Sequence, residues 1–107
     1  MLQIQFYRQT LYMPRYTIRR YTYNKAKRLG LRVKPSTNKT KKIDVYIEQT
    51  GEKIASVGAN GMNDYPTYIQ KRGSKYAKTR RRLYRMRHEK DRHVKMSNGW
   101  LADQLLW

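Results

Sequence analysis

The sequence predicts a small α+β domain. A β-hairpin, open to a third strand at residues 31–33, packs on a short helix and a long basic helix, and an extended N-terminal arm precedes them. Three observations carry this reading. "KIDVYIE" (42–48) alternates apolar and polar residues with the period of a half-buried strand. "DYPTYIQKRG" (64–73) opens on a capping aspartate with proline in the first turn and closes on glycine, the punctuation of a helix. "KYAKTRRRLYRMRHEKDRHVK" (75–95) holds ten Lys or Arg against two acids, with Tyr, Leu and Met at helical spacing. At 107 residues the chain fits one domain. We divide it into a Tyr-rich basic arm, residues 1–24, and a single α+β domain, residues 25–107.

The arm carries Phe6, Tyr7, Tyr12, Tyr16, Tyr21 and Tyr23, and Pro14 interrupts it. Residues 3–7 suit a short strand; an extended arm lying on another surface suits them equally. "YNKAKRLG" (23–30) reads as a short helix closed by Gly30, because glycine tolerates the left-handed cap position. "LRVKPSTNKTKK" begins strand-like and becomes a basic loop with Pro35. In "KIDVYIE", Ile43, Val45 and Ile47 point to the core, and Asp44, Tyr46 and Glu48 point to solvent. "QTGE" turns the chain, and "KIASVG" (53–58) returns it as the second strand of the hairpin. Gly58 and Gly61 break that strand. Asp64 caps a helix over residues 65–72, which Gly73 ends. Ser74 caps the basic helix, residues 75–91. Its stripe of Tyr76, Ala77, Leu83, Tyr84 and Met86 faces inward, and arginines cover the other sides. "WLADQLLW" (100–107) is the most apolar window and closes the core or offers a docking surface.

Composition narrows the function. The formal charge is +18, from 25 basic and 7 acidic residues. Such a charge repels itself in a compact chain and attracts polyanions. Leu, Ile, Val and Phe make up 19 of the 107 residues. That fraction lies below the ~20% at which a highly charged chain tends to disorder. We therefore expect a polyanion, protein neighbours in an assembly, or both to help order it. The absence of cysteine excludes disulfides and thiolate metal sites. No apolar run approaches the ~20 residues of a membrane span. The first 20 residues lack the apolar core of a secretory signal and read as a mature arm.

The chemistry that remains is binding. Arg80, Arg81, Arg82, Arg85 and Arg87 are the expected polyanion contacts, joined by Lys39, Lys41 and Lys42 from the loop before the hairpin. Such cations neutralise phosphates and release counterions. Ten tyrosines interleaved with the charges stack on bases or cover guanidinium planes. Trp100, Leu105 and Trp107 anchor the core or a protein neighbour. His88 and His93 stand five apart, turned about 140° from one another on a helix, which is wrong for a zinc pair. No phosphate-binding glycine loop and no nucleophile elbow is present. Asp44, Glu48, Asp64 and Asp91 are the carboxylates from which a metal-dependent nuclease site would be built. We read the protein as no enzyme, with no catalytic residues, cofactor, metal or small-molecule substrate.

"AKRLGLRVKPSTNKTKKIDVY", "KIASVGANGMNDYPTYI" and "YAKTRRRLYRMRHEKDRH", closing on "GWLADQLLW", resemble a family of small basic proteins encoded by large DNA viruses of algae and protists, of the phycodnavirus and mimivirus type. The resemblance spans residues 21–107 and rests on the ordered set "KPST", "DYPTY", "RRxLYRxRHxKD" and "ADQLLW". It implies a viral protein located in the virion, and in host cytoplasm or nucleus during assembly. Together with the charge, it leads to a non-enzymatic structural protein, a minor capsid or nucleoprotein-core component. Its basic face would contact nucleic acid, DNA foremost, or acidic capsid surfaces. The alternatives are an RNA-binding component of a ribosome-like particle and a small regulatory DNA-binding module.

Overall fold

A computed structural model describes residues 15–107. The expected strand at residues 3–7 lies outside the described residues. Seven elements follow one another: α1 (Arg20–Arg28), β1 (Leu31–Pro35), β2 (Lys41–Ile47), β3 (Lys53–Ala59), α2 (Tyr65–Arg72), α3 (Ser74–Arg87) and α4 (Asn98–Leu106). The strands form an antiparallel sheet in the order β1-β2-β3, so the third strand is present and the fold is α+β.

Register explains the core. Val33 pairs with Val45, Leu31 with Ile47, and Ile43 with Val57, so apolar side chains line up across one face. Ile43 and Val45 are fully buried there. The opposite face of β2 is covered as well: Lys42 is 2% exposed and Asp44 1%. The sequence reading put Asp44 on the solvent side, and the structure corrects that. Alternation identified the apolar face of β2, but a central strand covered on both faces also buries its polar positions.

The boundary of the arm moves too. Ile18 and Thr22 belong to the core, and α1 starts at Arg20. Ile18, Thr22 and Ala26 recur every fourth residue and are all buried. Thr22 Oγ1 donates to the Leu105 carbonyl at 2.8 Å, and the Tyr21 hydroxyl donates to the Trp107 carbonyl at 3.1 Å. These bonds tie α1 to α4. A threonine and an alanine carry little hydropathy, so this inward stripe gave a weak signal.

α2 begins as read, with Asp64 accepting from the Thr67 amide at 3.0 Å. α3 differs at both ends. Gly73, at φ 88, occupies its N-cap position and Ser74 is its first residue, with no side-chain cap. The helix stops at Arg87, and the His88 carbonyl accepts from the Asp91 and Arg92 amides in a turn. Of the expected inward stripe, Ala77 is buried, while Met86 is 65% exposed. α4 is capped by Ser97, which accepts from the Trp100 amide. Leu101, Leu105 and Leu106 are buried and Trp107 is 9% exposed, so this segment closes the core. Trp100 packs against it, half-buried.

Aromatic rings supply what aliphatic residues lack. Trp107 stacks on Tyr84 at 4.2 Å and 9°, Tyr84 on His88 at 4.3 Å, and Tyr68 meets Tyr76 edge-on at 5.5 Å. Arginines lie over tyrosine rings as well: Arg72 over Tyr76 at 4.3 Å and Arg81 over Tyr65 at 4.0 Å. The described tyrosines thus work largely inside the fold.

Gly58 sits opposite Lys42 at φ 83, and a methyl group there would come within 2.6 Å of Leu106 and 3.0 Å of Lys42. We expect Gly58→Ala to lower the unfolding free energy by about 2 kcal/mol, from backbone strain together with overpacking. Urea denaturation measures it, and an unchanged midpoint would mean that neither the positive φ nor the Leu106 contact resists a methyl group.

Candidate nucleic-acid interface

Helical geometry sorts the arginines of α3 onto two sides. Positions 78, 81, 82 and 85 recur at three and four and share one side. Positions 80, 84, 87 and 88 share another. The first side, continued by the turn after α3, forms an open groove of about 650 Å³ lined by Lys78, Arg81, Arg82, Arg85 and Arg92, with Glu89 its one acid. Of the five expected arginines it collects Arg81, Arg82 and Arg85. It adds Lys78 and Arg92, which the sequence reading passed over. Lys78 falls one helical turn before Arg82 and could have been found by that spacing. Arg92 arrives through the turn, which no helical period predicts.

The cations of this groove are not equivalent. Arg85 Nε pairs with Asp103 at 3.0 Å. Arg92 bonds Glu89 at 2.9 Å and reaches Asp103 at 3.6 Å. The guanidinium of Arg81 lies on Tyr65, and its Nη1 donates to the Trp107 carbonyl at 3.4 Å. These three are held in place by the fold. Lys78 and Arg82 are exposed and have no partner among the described residues. The groove therefore combines fixed charges with two available ones, a suitable arrangement for a phosphate track.

On the second side, Arg80 and Arg87 line a cavity of about 380 Å³ closed by β3 and α4. Lys41 reaches the same cavity. Lys39 is exposed on the loop and lines neither concavity.

Lys42 is not a polyanion contact, contrary to the sequence reading. Its ammonium is buried and pairs with Asp64 at 2.8 Å, with the Tyr16 ring 5.0 Å away. The Tyr16 hydroxyl donates to the same carboxylate. Burial pushes the Lys42 pKa down, only partly offset by Asp64. Burial also opposes ionisation of Asp64, but Lys42 and the hydrogen bonds outweigh it and hold the carboxyl below its usual range. Burial and the adjacent Asp64 charge push the Tyr16 phenol up.

Asp44, Glu48 and Glu89 are engaged as well. Asp44 accepts from Ser36 and Ser56 hydroxyls, each at 2.6 Å, and from the Thr37 amide at 3.3 Å, with Lys53 at 3.4 Å. Burial raises its pKa, yet these donors prevail and lower it to about 2. Glu48 pairs with Arg32 at 2.8 Å. His93 bonds Glu89 at 2.9 Å, while His88 stacks on Tyr84. The two histidines thus have separate surroundings.

No helix among the described residues is long and apolar enough to cross a membrane. Comparison with known proteins finds no match to a family model, a curated protein or a solved structure.

Proposed function

We propose that this protein is a non-enzymatic binder of nucleic-acid backbone, gripping phosphates along the groove of α3. The observation that carries this is five cations lining one open concavity with Glu89 the one acid of the lining, three of the cations fixed by the fold, two of them through buried Asp103. Fixed guanidinium groups lose little freedom on meeting a phosphate, and the net charge of +18 draws the chain to any polyanion. A track of this kind follows charge and spacing, not base sequence. The resemblance to proteins of large DNA viruses supports a place for this activity in a virion, as a nucleoprotein-core or minor capsid component.

The test is a salt titration of binding to random-sequence duplex DNA. Two to four phosphate contacts give a slope of log K against log salt of about −2 to −4. Binding that ignores salt, or none at ~50 mM salt, would overturn the proposal and turn attention to a protein partner.

A further inference from the structure

The cavity on the other side of α3 has different chemistry from the groove. Its volume, about 380 Å³, falls at the small end of the ~300–1,000 Å³ range of small-molecule sites. It is too narrow for a duplex. Tyr68, Tyr84 and Trp107 form an aromatic wall, Arg80, Arg87 and Lys41 supply positive charge, and no acid lines it. Asn63 and Asn98 add amides able to donate and accept.

A second observation concerns charge. The Arg80 guanidinium lies 5.4 Å from the Tyr68 ring centre, within the lining of this cavity, while its Nε is sealed from solvent and faces the protein interior. What Arg80 brings to the cavity is positive charge, which a phosphate matches.

We infer that this cavity binds one nucleotide unit of a single strand. The base lies against the half-buried Tyr68 ring, since Tyr84 is already stacked between Trp107 and His88; bases lie on such rings at single-strand binding surfaces. The asparagines meet its edge, and the phosphate sits by Arg80 and Arg87. The inference rests on the nucleic-acid reading above and adds to it: the outer groove follows backbone, while the cavity takes an unstacked nucleotide from a loop, end or opened strand.

The experiment is a ¹H–¹⁵N NMR titration of the full chain, following the amides of Gly58, Gly99 and Ala102, which line the cavity. The probes are dAMP, deoxyadenosine, inorganic phosphate and a six-residue oligo(dA). We expect saturable shifts at these amides with dAMP, tighter with oligo(dA), and at least tenfold weaker with deoxyadenosine. Arg80→Met and, separately, the exposed Arg87→Gln should each weaken dAMP about tenfold or more, as loss of a charged hydrogen bond does. Lys39→Ala, on the exposed loop that lines neither concavity, should leave dAMP binding unchanged. Silence of these amides at about 10 mM dAMP, enough to fill a millimolar site, would overturn the inference. Inorganic phosphate binding as tightly as dAMP would overturn the nucleotide class, and dAMP binding as tightly as oligo(dA) would overturn the single-strand source. Duplex binding with silent cavity amides sinks the cavity alone. Occupied cavity amides without duplex binding sink the groove reading alone.

Discussion

Asp64→Ala should lower the unfolding free energy by about 3–5 kcal/mol, because it leaves the Lys42 ammonium buried without a counter-charge. The carboxylate does three jobs at once: it pairs with Lys42, caps α2 through the Thr67 amide, and accepts from the Tyr16 hydroxyl. Domains of this size are stable by only about 5–15 kcal/mol, so the variant would be close to unfolding at 25 °C. Urea denaturation followed by circular dichroism reads the change. Lys42→Met with Asp64→Asn should recover most of it, since methionine keeps the stem and asparagine still caps the helix. A loss under about 1 kcal/mol for Asp64→Ala would mean that water reaches Lys42 and the pair is not isolated. Acid should act in the same direction. The depressed carboxyl stabilises the fold above the unfolded aspartate pKa of about 3.9, and that contribution disappears as pH falls through the lower folded value.

The second large effect is on binding. Lys78→Ala with Arg82→Ala should weaken duplex DNA binding about 60-fold at 0.1 M salt, the result of two lost contacts of about 0.9 each in the salt slope. The slope itself should flatten by about 1.8. Both side chains are exposed and bond to nothing among the described residues, so the fold should be untouched. Thermal unfolding provides the control, because alanine is the stronger helix former and two like charges are removed. Unchanged affinity in a folded variant would show that α3 is not the track. Arg85→Ala is the less informative experiment, since it also strips a counter-charge from buried Asp103.

What the sequence disclosed follows from how local each signal is. Alternation in "KIDVYIE" marked the hairpin, and Asp64, Pro66 and Gly73 marked α2 to the residue. Those cues act within a few positions. Lys42 and Asp64 are 22 residues apart, and nothing in either neighbourhood announces that they meet. A lysine in a basic loop looks like every other lysine until the chain is folded. The same holds for Asp44, whose donors Ser36 and Ser56 come from either side of β2. The helix read over residues 23–30 is present as α1 but begins three residues earlier, at Arg20, because its buried stripe uses Thr22 and Ala26, small residues with little hydropathy. The site was half legible: arginine content pointed to α3, but the division into two sides needed the surrounding elements.

Three of the seven carboxylates, Asp44, Asp64 and Asp103, are buried, and each is satisfied from within the chain. Nearly half of the negative charge of this protein is therefore internal, and the exterior keeps four exposed acids, Glu48, Glu52, Glu89 and Asp91, among a large excess of cations. Dissolved ions act on such a particle in two opposed ways. They screen the crowding of like charges over its skin, across a Debye length of about 10 Å at 0.1 M, and so steady the solitary molecule. They also compete with it for phosphates and loosen it from any strand. The free form is thus most at ease in brine and the bound form in dilute buffer. A strand laid along α3 substitutes for the missing counter-ions, relieving the molecule of its own repulsion as it binds.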